Sequence, residues 1–154
     1  MMMEEKIAHK LLLKNYCEQI ILQRIAITQQ AMDEAQAAAN QEGKSSAGDK
    51  YETARAMSHL EKDMHARQLL AHQECLHTLR MINVQVIYNA PAAGAFIRST
   101  TTCFFIGGGL GKQIVNGETV VFLSPASPLA LQLLQKKTGD EFTFKGKEKI
   151  ITIY

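Results

Sequence analysis

The sequence predicts an α+β protein. A long antiparallel helical hairpin fills residues 1–83, with its tip near 42–50, and a small antiparallel β domain with one short helix fills residues 84–154. Three observations predict it. Residues 4–41 and 49–82 contain neither Gly nor Pro and are rich in strong helix formers. The polar stretch "NQEGKSSAGDK", beginning at Asn40, divides them. After Asn83 the chain breaks into short β-branched and aromatic runs separated by turn signals.

The first helix carries Leu13, Cys17, Ile20, Ile27, Ala31, Ala35 and Ala38 at spacings of three, four or seven, a narrow stripe of the coiled-coil kind interrupted by Arg24. The stripe thins to alanine toward the bend, which favours close approach there. The second helix repeats the theme with Ala54, Met57, Leu60, Met64, Ala71, Cys75 and Ile82, with Arg67 inside the stripe. Two matched helices of about 35 residues would each be ~50 Å long at 1.5 Å per residue. A short polar link between them makes an antiparallel hairpin.

In the second domain, "VQVIYN", "AFIRST", "TTCFFIGG", "KQIVNGETVVFLS", "EFTF" and "KIITIY" read as strands. Asn116-Gly117 is a two-residue hairpin turn. Thr138-Gly139-Asp140 and Lys145-Gly146-Lys147 mark two more. Residues 128–137, "PLALQLLQKK", read as a short helix with Pro128 in its first turn and lysines at its end.

The bulk numbers limit the function classes. A net charge of +2, with ten Lys/Arg against eleven Asp/Glu before residue 84 and seven against four after it, is too mild to indicate nucleic-acid binding by itself. Cys17, Cys75 and Cys103 are too few and scattered for a disulfide framework, and no apolar run reaches the ~20 residues of a membrane span. The expected setting is cytoplasmic, with no membrane partner.

"GGGLGK", residues 107–112, departs from a phosphate loop at both ends: Ile106 and Gln113 stand where Gly and Ser/Thr belong. It reads as a wide connection between strands. His72, Cys75 and His77, with Cys17 brought to their level by the hairpin, fall short of a recognised zinc spacing. Asp49 and Glu52 sit three apart at a helix start. There they fit an acidic capping box, and equally a pair of oxygen ligands for a hard cation.

The order of a long hairpin and a small sheet domain resembles the GreA/GreB family of transcription elongation factors. So does the closing stretch "FLSPASPLALQLLQKKTGDEFTFKGKEKIITIY", residues 122–154, in which Ser124-Pro125, Leu131, Leu134 and Gly139 to Glu141 fall in the family's places. Tyr51, early in the second helix, completes the likeness. The resemblance implies an FKBP-like sheet domain that docks beside the secondary channel of bacterial RNA polymerase, the partner, while the hairpin enters the channel near nucleic acid. Such a factor is no enzyme: the polymerase cleaves its own backtracked transcript, and acids at the tip help hold a magnesium ion shared with it. No intrinsic cofactor is implied.

The tip departs from the family's pattern. With Gly43 and Tyr51 on its ends and Ser46 on its serine, Lys44 and Ala47 take the two acid positions, Gly48 the Asn and Lys50 the later Glu. The tip candidates are Lys44, Asp49, Lys50 and Glu52, with Asp49 and Glu52 as the shared magnesium ligands if the acidic pair has moved along the tip. A channel-occupying regulator without cleavage activity fits these residues at least as well. The alternative is a structural protein that self-associates through its hairpin as a four-helix bundle, with Arg24 and Arg67 setting register. An isomerase reading, drawn from the FKBP-like fold, stands against few aromatics to line a pocket.

Overall fold

The computed structural model describes the backbone of residues 1–42 and 48–154, and the side chains of residues 1–41 and 52–154. Two helices come first, α1 (Met3–Glu42) and α2 (Gly48–Met81). Six strands and a short helix follow: β1 (Phe96–Ser99), β2 (Cys103–Ile106), β3 (Gly111–Val115), β4 (Glu118–Leu123), α3 (Pro128–Leu133), β5 (Glu141–Thr143) and β6 (Lys147–Ile153). The chain is α+β. The described residues group into two compact units: Met1–Gln19 with Cys75–Tyr154, and Ile20–Glu74.

In the unit Ile20–Glu74, α1 and α2 pack together, and Lys62 Nζ donates to Gln36 Oε1 across the pair. In the other unit, Arg80 Nε donates to Glu18 Oε1 at 2.9 Å. The two positions of each pair lie equally far from residue 49, the register of antiparallel neighbours.

The seam differs from the predicted stripes. On α1 the buried positions include Leu13, Cys17, Ile21, Thr28, Ala35 and Ala39, while Ile27 and Ala38 are exposed. Runs such as Ile20-Ile21-Leu22 and Ala37-Ala38-Ala39 offer adjacent registers of equal apolarity, so periodicity alone does not choose between them. On α2 the half-buried positions Ala54, Ser58, Lys62, His65, Leu69 and His72 form the shielded face, and Met57, Leu60 and Met64 face solvent. A lysine tolerates that face because its methylene stem can be covered while its ammonium finds Gln36.

The sheet order is β3-β4-β2-β1-β6-β5. It is mixed, not antiparallel throughout: β2 and β4 run parallel, from Cys103 opposite Val120 to Ile106 opposite Leu123. The cause is local. Asn116, at φ 50, and Gly117, at φ 80, close the tight β3–β4 hairpin. The link from Gly107 to Leu110 reverses direction while leaving one strand's width open. β4 fills that gap, about 4.8 Å from each neighbour.

Both faces of the sheet are covered, which is why "CFFI" in β2 is buried at every position. On one face Ile97, Phe104, Ile106, Val121 and Leu123 form the core with Ala130 and Leu133 of α3 and with Phe142 and Ile150. On the other, Phe96 meets the His9 ring edge-on at 4.7 Å and Phe122 stacks with Tyr16 at 5.8 Å, so the first turns of α1 lie against the sheet. The Cys17 thiol, buried there, donates to the Gly107 carbonyl.

Two further expectations are corrected. Residues 84–89 are not a strand. Lys10 Nζ takes the Val86 carbonyl, so this segment is held by a side chain instead of a ladder, and just before it Lys14 Nζ takes the Ile82 carbonyl at 2.6 Å. The helix expected over 128–137 ends at Leu133. Beyond it the Lys137 N–H turns to Asp140 Oδ2, and Gly139, at φ 93, turns the chain toward β5.

Candidate functional site

Lys44 lies outside the described residues. Asp49 and Lys50 fall in the first turn of α2, but their side chains are likewise outside them. Glu52 is described and exposed on α2. Among the described residues no three His, Cys, Asp or Glu side chains converge as a metal site, so no magnesium ligand set is assembled from Glu52 and described neighbours.

The polar residues that the fold does bring together lie where α1 meets the sheet, and sequence reading missed them. Arg98 of β1 and Glu118 of β4 belong to the sheet, Tyr154 follows β6, and His9 comes from α1. Arg98 reaches Glu118 Oε2 at 3.2 Å. His9 sits between Glu118 and Tyr154, its Nε2 3.3 Å from Glu118 Oε1 and its Nδ1 2.7 Å from the Tyr154 hydroxyl. The backbone of Tyr154 also exchanges two hydrogen bonds with Phe96. Glu118 Oε1 is buried, and among the described residues its polar neighbour is His9 Nε2.

Burial lowers the His9 pKa more than Glu118 raises it, and Arg98 adds to the lowering, so the ring is neutral at pH 7. A neutral ring with Nε2–H toward Glu118 leaves Nδ1 to accept from the phenol. That phenol stays protonated, because burial pushes Tyr154 up to about 12. Burial also raises the Cys103 thiol, which faces Arg98. The group thus holds the last residue and α1 on the sheet with neutral or paired side chains. No sequence motif announces it, since His9 and Tyr154 are 145 positions apart.

A second polar group ties β6 to the β1–β2 turn. Burial pushes the Glu148 carboxyl up, but the Thr101, Thr102 and Ser99 hydroxyls outweigh it and leave its pKa below the ordinary value. The Thr101 hydroxyl donates to Glu148 Oε1 at 2.6 Å. Beside this group a cleft of ≈ 380 Å³ is lined by Thr119, Val121, Phe144, Lys112 and Lys145. Its lining combines the apolar Val121 and Phe144 with threonines and two lysines, a composition suited to a side chain or small group of acidic character.

No family model, curated protein or solved structure matches the chain.

Proposed function

We propose that the chain is a Gre-like transcription factor. It binds bacterial RNA polymerase and inserts its helix pair into the secondary channel, where it modulates elongation or transcript cleavage. The observation that carries this reading is the pairing of a 40-residue and a 34-residue helix with a six-stranded sheet that bears one short, Ser-Pro-initiated helix. At 1.5 Å per residue, α2 alone is ~50 Å long, which is reach without much core. The coiled-coil character of the pair and the FKBP-like character of the sheet domain belong to the same proposal. The polymerase performs any cleavage, and magnesium is shared with it through Asp49 and Glu52 if at all. Lys44 and Lys50 place positive charge where the family has carboxylates, favouring RNA phosphates over a cation.

The test is retention on purified core polymerase, with and without a competitor that occupies the secondary channel. Loss of retention with the competitor supports the reading, and retention unaffected by it sinks it. Backtracked complexes then separate the modes. Little cleavage by the wild type, unchanged in Asp49→Ala and Glu52→Ala, fits a channel-occupying regulator. Strong cleavage abolished by either substitution restores the acidic pair.

One observation favours a second reading, self-association through the hairpin. Met57 and Leu60 are each 66% exposed on α2, and Met64 follows on the same stripe. Light scattering on the full chain decides it. A dimer that Met57→Lys with Leu60→Lys converts to monomer supports it, and a monomer throughout removes it.

A further inference from the structure

The sheet has two edges, and they are built differently. β5 is three residues long and carries an ion pair, Glu141 with Lys147 at 3.4 Å, the kind of short charged edge that resists pairing. β3 is longer, Gly111–Val115, and Ile114 stands 66% exposed on it.

The register of β3 says which of its backbone groups are open. The two-residue turn makes Val115 and Glu118 the pair that exchanges both hydrogen bonds, and bonding alternates from there. Gln113 and Gly111 therefore bond toward β4, while Lys112 and Ile114 turn their N–H and C=O groups outward. Among the described residues no other backbone bond reaches those two. Their side chains share a face, Lys112 opposite Val121 and Ile114 opposite Thr119. That face holds the cleft lined by Thr119, Val121, Phe144, Lys112 and Lys145. The charges the cleft presents are the two ammonium groups. The neighbouring carboxylate, Glu148, is buried and accepts from the Thr101 and Ser99 hydroxyls.

We propose that β3 is a docking edge for an extended segment of a partner protein, one that carries an acidic residue and a β-branched apolar residue two positions apart. Strand addition satisfies the outward groups of Lys112 and Ile114. The two-residue period then sets the acidic side chain against Lys112, which lines the cleft, and the apolar one against Ile114. Charge complementarity selects an acidic partner over a second copy of this chain, whose own β3 would bring a further Lys112 toward Lys112 and Lys145. This surface is independent of the polymerase reading and stands or falls without it.

The probe is the blocked peptide Thr-Thr-Glu-Thr-Val-Thr-Thr, titrated into the full chain and followed by amide NMR and hydrogen exchange. New protection should appear at the Lys112 and Ile114 amides and not at those of β5. A peptide with Lys in place of Glu should bind about fivefold more weakly. Lys112→Glu should reverse that preference. If this variant fails to fold, the two-peptide comparison on the wild type decides alone. No protection at Lys112 and Ile114, or equal affinity for both peptides, overturns the proposal. Protection of these amides that grows with protein concentration in the absence of peptide overturns it in favour of self-pairing.

Discussion

Lys10 is the most enclosed charged side chain among the described residues, with no exposed surface, its ammonium on the Val86 carbonyl and 4.7 Å from the centre of the Tyr88 ring. Burial lowers its pKa from 10.5 to about 8. Between those values the unfolded chain holds the proton and the folded chain releases it, so this group makes the protein more stable as pH rises from 8 to 10.5. The wild type should gain in denaturant midpoint relative to Lys10→Met over that window, and a constant difference would refute the assignment. Gly94 gives a second test at this scale. At φ 95, an added Cβ would lie 2.8 Å from both the Asn83 carbonyl oxygen and Ile82 Cγ2, where the end of α2 meets the sheet. Gly94→Ala should destabilise the chain by more than the ~1 kcal/mol that removing glycine's freedom can return. Thermal unfolding that matches the wild type would contradict it. Neither effect is visible in the sequence. Lys10 reads there as one more polar helix residue, and Gly94 as one glycine among ten.

At the scale of elements, local chemistry was legible wherever one or two residues decide a conformation. Asn116-Gly117 marks its hairpin, and Pro128 marks the start of α3. Ser127 caps that helix by accepting from the Ala130 N–H, so Ser127→Ala should cost about 0.5–2 kcal/mol. Chemical denaturation checks it, and an unchanged midpoint would deny the cap its role. What the sequence did not carry was partner choice. Cys103–Ile106 beside Glu118–Leu123 could pair in either sense on composition alone, and the parallel sense follows from where the Gly107–Leu110 link sets β3 down. "VQVIYN" has the residues of a strand but gives its Val86 carbonyl to Lys10, a tertiary effect that overrides propensity. The seam of α1 and α2 turned on single-residue shifts, Ile21 for Ile20 and Ala39 for Ala38, within runs of near-identical apolarity. The candidate site divides the same way. The tip was legible as composition, whereas the His9–Glu118–Arg98–Tyr154 group exists only once distant segments meet.

At the scale of the molecule, the unit that contains the sheet also contains Met1–Gln19 and the end of α2. Phe96, Phe105 and Phe122 are buried on a face that Tyr16 and His9 help to cover. Residues 84–154 alone should therefore expose aromatic surface, bind a hydrophobic dye and unfold more readily than the full chain. A chain in which a short Gly-Ser link replaces Ile20–Glu74 should instead keep the sheet. Matching amide spectra for β1 to β6 would support this, and a collapsed spectrum would show that the excised helices are needed for folding.

The bond between His9 and Tyr154 also sets an order of events. Helices form from neighbours within microseconds, whereas contacts between distant segments wait for the chain to close on itself, in milliseconds to seconds for non-local β structure. β1 lies between β2 and β6, and β6 must arrive before Phe96 can exchange hydrogen bonds with Tyr154. For that interval α1 is a finished surface waiting for its sheet, with Phe96, Phe105 and Phe122 still in water. Refolding should thus be biphasic by circular dichroism, with a fast helical phase and a slow phase that tyrosine fluorescence shares. It is during the slow phase that the chain is open to misassociation.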